Sequence, residues 1–284
     1  MKSLSSLIHV ALFGLVVSAP PASAQSDDAF DLHYETCGAG TDTIVFVHGG
    51  MLHSAAFDEV WAEVCKSEDF AAVRYDRRGY GRSPVATESY SNSEDLAALV
   101  QHLGLTKAIL VANSSGANIA LDYALSEQSI LEGLLLSAPA IGPYRYSDEY
   151  IRRNMAILSP LQDNNVSEAI RRVSADSYYV SPENSLAHSR MVEILTDNPQ
   201  NFGPHRFRSP PPFVFDRLVD VMTPVLLLVG EQDHPDNIEH ASILRSILSF
   251  TLLKTVPQAA NQIQLEQPQV FAAHVLDLAT RRLR

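Results

Sequence analysis

The chain has 284 residues, of which 46% are apolar and 19% charged. That is a globular balance, and it excludes a self-repelling disordered polymer. A formal charge of −12 argues against a nucleic-acid partner, because phosphates need a basic footprint. Two cysteines exclude a disulfide-rich scaffold and a four-thiolate metal site.

Lys2 precedes an apolar run, Leu7 to Val17, and Pro20, Pro21 and the triplet Ala22-Ser23-Ala24 follow. A positive start, a short apolar stretch and an A-x-A site describe a secretory signal peptide over residues 1–24, cut after Ala24. The expected location is therefore secreted or periplasmic. The run falls short of the ~20 residues that cross a bilayer, so no membrane association is expected after cleavage. Outside the cytosol Cys37 and Cys65 can pair, and their separation permits it. Pairing depends on a Cα distance that the sequence does not contain, so it stays open.

Beyond the leader, Phe30–Glu35 alternates like an antiparallel edge strand. Short β-branched apolar runs recur at Thr43–Val47, Ala71–Tyr75, Ala108–Ala112, Leu134–Ser137, Val225–Val229 and Thr251–Val256. Bounded by Gly, Asp and Ser, they predict buried strands of a mostly parallel sheet. Helical patterns lie between them at Ser54–Lys66, Ser91–Leu103, Gly116–Leu125 and from Pro268 onward, which makes an α/β fold with helices on both faces. Between 140 and 215 the rhythm changes. Helices are predicted at Asp148–Leu158, at Ser167–Tyr178 with Asn165 as cap, and at Pro182–Leu195 with Ser181 as cap, before a loop over Asn198–Pro212. The expected division is a core over 25–139 and 216–284 with a helical cap over 140–215 roofing the strand ends, where open α/β sheets bind ligands.

The strand Ala108–Ala112 runs into Asn113-Ser114-Ser115-Gly116 and then a helix. Small residues two before and two after Ser114 let the backbone crowd a sharp turn that lifts the central hydroxyl above the sheet. A serine there also sits at a helix N-terminus, where developing negative charge is favoured. Two further segments follow strands: Val47-His48-Gly49-Gly50, and Asp76-Arg77-Arg78-Gly79-Tyr80-Gly81-Arg82-Ser83. The latter lacks the third glycine of a dinucleotide fingerprint, and Ser83-Pro84 ends the turn.

With these motifs and the later Gly230-Glu231-Gln232-Asp233, residues 29–284 resemble the α/β-hydrolase fold superfamily. The resemblance implies that Ser114 is the nucleophile, that the N–H groups of Gly50 and Ser115 form the oxyanion hole, and that Asp233 is the triad acid. It implies supporting roles for His48 and Asp76. The expected substrate is a small ester or lactone. No cofactor is expected, since the chain has neither H-E-x-x-H nor G-x-x-x-x-G-K-[ST]. Tyr144, Tyr146, Tyr150, Met155, Tyr178, Tyr179 and Met191 suit an aromatic-lined pocket, and core packing of the cap explains them equally well.

The family's base lies in a run resembling P-x-x-G-H-x-x-x-L-E-Q-P. This chain reads Pro257-Gln258-Ala259-Ala260-Asn261-Gln262-Ile263-Gln264-Leu265-Glu266-Gln267-Pro268, with Asn261 where the histidine belongs. A carboxamide cannot accept a proton near neutral pH. Three readings compete. Another histidine supplies the base, with His53 and His234 leading and His188 and His205 behind; His240 and His274 fall in helical patterns and read as packing or surface residues. Alternatively the enzyme is not hydrolytic, or the protein is a ligand-binding pseudo-hydrolase.

Overall fold

The computed structural model describes residues 30–142, 145–203, 205–210 and 213–280. The predicted signal peptide and Tyr144 lie outside the described residues. Seven strands form one sheet: β1 (Tyr34–Gly38), β2 (Asp42–Val47), β3 (Phe70–Tyr75), β4 (Ala108–Asn113), β5 (Leu131–Ser137), β6 (Val225–Gly230) and β7 (Thr251–Val256). Their spatial order is β1-β3-β2-β4-β5-β6-β7. Strand β1 runs antiparallel to β3, and the other pairs are parallel.

Alternation along the strands feeds two cores. On one face Val45, Val47, Leu110, Ala112 and Leu227 pack with helices α2 (Asn92–His102) and α3 (Ser115–Ser126). On the other, Ile44, Phe46, Ile109, Val111 and Leu228 meet α1 (Asp58–Val64) and α9 (Pro268–Ala279). Burial on both faces explains why these strands read as unbroken apolar runs. The parallel registers Val47↔Ala112 and Asn113↔Ser137 bring the carboxyl ends of β2, β4 and β5 level, which sets the loops that follow them side by side.

Helices α4 (Asp148–Leu158), α5 (Val166–Ser174) and α6 (Ser185–Asp197) lie between β5 and β6. Their buried residues Ile157, Val173, Met191 and Leu195 form a third cluster with Leu52 and Ala56 of the β2–α1 connection, so the helical segment is seated on the sheet's loops. Helix α7 (Pro235–Ile247) follows β6, and the short α8 (Ile263–Glu266) precedes α9. No described helix is long and apolar enough to cross a membrane.

Several boundaries differ from the sequence-based expectation. The edge strand begins at Tyr34, which pairs with Tyr75, not at Phe30: His33 N–H donates to the Ser83 hydroxyl, so the ladder with β3 goes no further and the burial of Leu32 belongs to a segment outside the strand. Helix α5 stops at Ser174, and just beyond it the Asp176 carboxylate accepts from Tyr178 N–H at 2.9 Å. Helix α6 starts at Ser185 with Asn184 as its cap, because Ser181 N–H donates to Glu266 instead. Asn165 caps α5 as expected, accepting from Glu168 N–H at 3.1 Å. Cys37 and Cys65 form a disulfide with a Cα–Cα distance of 5.7 Å, joining β1 to the residue after α1.

Candidate active site

Ser114 sits between β4 and α3 with φ 51° and ψ −121°, a left-handed φ that strains any residue bearing a Cβ. Its neighbours permit that turn. A Cβ on Gly116 would lie 2.4 Å from the Val47 carbonyl oxygen, and one on Gly49 would lie 3.0 Å from Ser114 Cβ. The turn is pinned by backbone bonds from Ser114 N–H to Ser137 O at 2.9 Å and from Ala117 N–H to Ser114 O at 3.0 Å.

Ser114 lines a cavity of about 210 Å³ together with Gly50, Ser115, His234, Asn237 and Asn261. Gly50 and Ser115 are adjacent there: a Cβ on Gly50 would meet only Ser115 Oγ, at 3.7 Å. The roof comes from the helical segment, as Tyr150, Arg153, Tyr178 and Tyr179. Of the aromatic and methionine residues singled out from sequence, these three tyrosines face Ser114. Tyr146 lines a neighbouring cavity, Met191 is buried in the helical cluster, and Met155 is exposed.

Asp233 is 3% exposed at the end of the β6 loop. Its Oδ1 accepts from His234 N–H at 2.7 Å, from Asn237 Nδ2 at 2.8 Å and from Asn261 Nδ2 at 3.5 Å, while Oδ2 is buried without a partner. Burial pushes its pKa up to about 6, against the lowering effect of these hydrogen bonds. Asn261 therefore stands beside the acid. A directional chain of amides orients it: Gln264 Nε2 donates to Gln262 Oε1 at 2.7 Å, and Gln262 Nε2 donates to Asn261 Oδ1 at 2.8 Å. The remaining Asn261 N–H groups are thereby turned toward Asp233.

The two candidate substitute bases fare differently from expectation. His53 is not among the residues lining the Ser114 cavity. Its Nδ1 caps a short 3₁₀ turn, accepting from Ala55 N–H at 3.4 Å, and lies 3.4 Å from Asp76 Oδ1. His234 does line the cavity, but both nitrogens are engaged. Nδ1 accepts from Asp236 N–H at 3.1 Å, which leaves Nε2 to carry the proton and donate to Glu149 Oε2 at 2.6 Å. No lone pair of that ring is left for a serine proton. His188 bonds Ser174 O, His205 stacks on Tyr80, and His240 packs on Tyr146, so none of them faces Ser114.

His48 and Asp76 hold loops together. The fully buried His48 donates from Nδ1 to Gly49 O and accepts Arg77 N–H at Nε2, and burial lowers its pKa to about 3. Asp76 accepts from Ser54 N–H and hydroxyl and from Arg82 N–H; its pKa is lowered, its hydrogen bonds outweighing burial.

Arg153, Asn237 and Gln262 also line the cavity and were missed in the sequence. Arg153 stacks over Tyr178 at 4.9 Å and pairs with Asp176; its position one helical turn after Tyr150 was the available signal. Glu266 was read only as part of a matching motif. Its carboxylate accepts Ser181 N–H and Ala260 N–H, each at 2.7 Å, tying the helical segment to the Asn261 loop, and burial pushes its pKa up to about 7.

A nucleophile-type turn, an acid after β6 and a helical roof on a mostly parallel sheet define one class of protein. The chain belongs to the alpha/beta hydrolase family, whose model matches residues 44–274. It is 25% identical over 227 residues to a 2-hydroxy-6-oxononadienedioate/2-hydroxy-6-oxononatrienedioate hydrolase of Dechloromonas aromatica, covering 74% of this chain and 76% of that protein. Over 243 residues it is 25% identical to the sn-1-specific diacylglycerol lipase ABHD11 of Mus musculus, covering 80% and 78%. The fold is similar to that of an esterase from Thermogutta terrifontis, with a TM-score of 0.73, 21% identity and coverage of 88% and 93%.

Proposed function

We propose that the protein is an exported serine hydrolase acting on a small, partly apolar ester or lactone. Ser114 is the nucleophile, and the N–H groups of Gly50 and Ser115 receive the charge that develops on the carbonyl oxygen. An asparagine is shorter than a histidine, and in this reading a water takes the place of the imidazole between Ser114 and the acid. As Ser114 Oγ bonds to the carbonyl carbon, that water takes the hydroxyl proton and passes one of its own to Asp233. Return of the proton by the same route releases the alcohol, and a second water hydrolyses the acyl-enzyme. The raised pKa of Asp233 suits this role, since it makes the carboxylate a better proton acceptor than an ordinary aspartate.

The observation that carries the reading is the strained φ of Ser114 at a cavity shared with Gly50, Ser115 and Asn261. Strain of this kind persists where the surrounding structure over-determines it, as at reaction sites. Export is supported by the leader pattern and by the Cys37–Cys65 bond, which survives in oxidising compartments. Labelling with a fluorophosphonate probe tests the nucleophile. Modification that disappears in Ser114→Ala is expected, and the folded protein's failure to label overturns the reading. The occupied nitrogens of His234 favour a second reading, a non-hydrolytic enzyme or a ligand-binding pseudo-hydrolase, and absence of labelling supports the ligand-binding form of it.

A further inference from the structure

Beside the Ser114 cavity lies a second one, of about 230 Å³, and Ser115 and Ala140 line both. Its floor includes Arg77, which is 2% exposed yet forms no ion pair with any described residue. The guanidinium donates from Nη1 to His48 O at 3.0 Å and to Ser115 Oγ at 3.2 Å, and it rests over the Tyr80 ring at 4.7 Å. All three contacts are neutral, and its Nε is buried without a partner. A buried cation with neutral neighbours and an unused donor is costly unless an anion completes it. Of the two arginines that follow Asp76, Arg78 is neutralised by Asp31 and Asp95, and Arg77 has no such partner among the described residues.

The rest of the lining agrees. Arg208 faces this cavity from the segment that leaves the helical region, held there because Tyr90 N–H donates to Phe207 O at 3.1 Å and Ser209 N–H to Tyr90 O at 2.8 Å. Asn118 gives its Oδ1 to Gly142 N–H, which leaves its Nδ2 donors for a ligand. Asp122, the carboxylate among the lining residues, accepts from the Ser93 hydroxyl. The local field is positive on a second probe as well: His205, stacked on Tyr80, has its pKa lowered to about 4 by burial and then by Arg208 and Arg77.

We propose that this cavity is a carboxylate subsite, in which Arg77, backed by Arg208, binds the free acid of a substrate whose ester or lactone carbonyl reaches Ser114. The substrate class is then a short acid-ester, with a few methylenes between carboxylate and carbonyl, because Arg77 touches the same Ser115 that borders the Ser114 cavity. The orientation follows from Coulomb attraction to a buried guanidinium, whose fork matches a carboxylate. The assignment rests on reading the Ser114 cavity as the reaction site, but its test does not require turnover.

Isothermal titration calorimetry with glutarate, whose second carboxylate stands in for the reacting carbonyl, reads binding directly. Glutarate is expected to bind the wild-type protein, with affinity at least about tenfold weaker in Arg77→Met. Pentanamide, a neutral control, is expected to show no such difference. Circular dichroism checks that Arg77→Met folds. Should it not, Arg208→Ala, which alters an exposed side chain, is expected to weaken glutarate binding severalfold. Wild-type protein that ignores glutarate overturns the proposal, as does full affinity in a folded Arg77→Met or, if that variant fails to fold, in Arg208→Ala. Failed fluorophosphonate labelling with intact glutarate binding would sink the hydrolase reading and leave the subsite standing.

Discussion

Asn261 donates through Nδ2 to Asp233 Oδ1 at 3.5 Å while its own Oδ1 accepts from Gln262 at 2.8 Å. The carboxamide thus enters the acid's hydrogen-bond sphere facing one way, and it leaves Asp233 Oδ2 buried and unpaired. An imidazole in that position would satisfy the acid and offer a basic nitrogen to Ser114. The amide does neither, and the consequences are measurable.

Restoring the imidazole is the first test. Asn261→His is expected to raise kcat/KM for 4-nitrophenyl acetate by at least about tenfold, since a positioned general base contributes about 10²–10⁴ in rate. An unchanged rate would mean that the cavity is built around other chemistry.

The pH profile is the second. Asp233 must be ionised to take a proton, and its pKa is about 6, so activity is expected to rise as pH climbs through 6 and then level off. Asp233→Asn is expected to remove that rise. Stopped-flow or steady-state rates between pH 5 and 8 decide it, and a flat wild-type profile rules Asp233 out as the acceptor.

Glu266 links folding to pH in a definite direction. Its pKa of about 7 lies above the ordinary 4.5, so the folded protein holds this proton more tightly than the unfolded chain. The resulting stability is fully present below pH 4.5 and is lost as pH rises through 7. Glu266→Gln is expected to flatten this part of the dependence of Tm on pH and to cost about 1 kcal/mol, because one of two backbone N–H donors loses its acceptor. Equal slopes in both proteins would count against it.

Strain at the turn predicts a trade-off. With φ 51°, Ser114 is in a region glycine adopts freely, so Ser114→Gly is expected to stabilise the fold by about 1 kcal/mol while abolishing fluorophosphonate labelling. Urea denaturation checks the sign, and a destabilised variant would show that the serine side chain is held by contacts instead.

Removing the Cys37–Cys65 bond by a double serine substitution is expected to cost about 3.5 kcal/mol, the loop-closure contribution for a separation of 28 residues. Urea denaturation again provides the measurement, and an unchanged midpoint would contradict it.

Much of this protein was legible in its sequence, for local reasons. The runs that became β2, β4 and β6 are buried on both faces and so read as apolar. Ser114 announced itself because only small residues tolerate the turn around it, and Asn261 stood out against matching residues on either side. The start of the edge strand was placed too early because burial of Leu32 extends the alternation of Tyr34 beyond the point where His33 N–H turns from the ladder to Ser83.

Other features depended on residues far apart in the chain. The engagement of both His234 nitrogens requires Glu149, 85 residues away, and nothing in Asp233-His234-Pro235 encodes it. Buried Arg77 is noteworthy only once Ser115 and the cavity's lining surround it. The disulfide likewise waited on a distance. Local chemistry, meaning which residue tolerates a turn or fills a pleat, acts over a few bonds and is written in order along the chain. Charge pairing, burial and proton affinity are sums over neighbours in space, and only the folded arrangement supplies the neighbours.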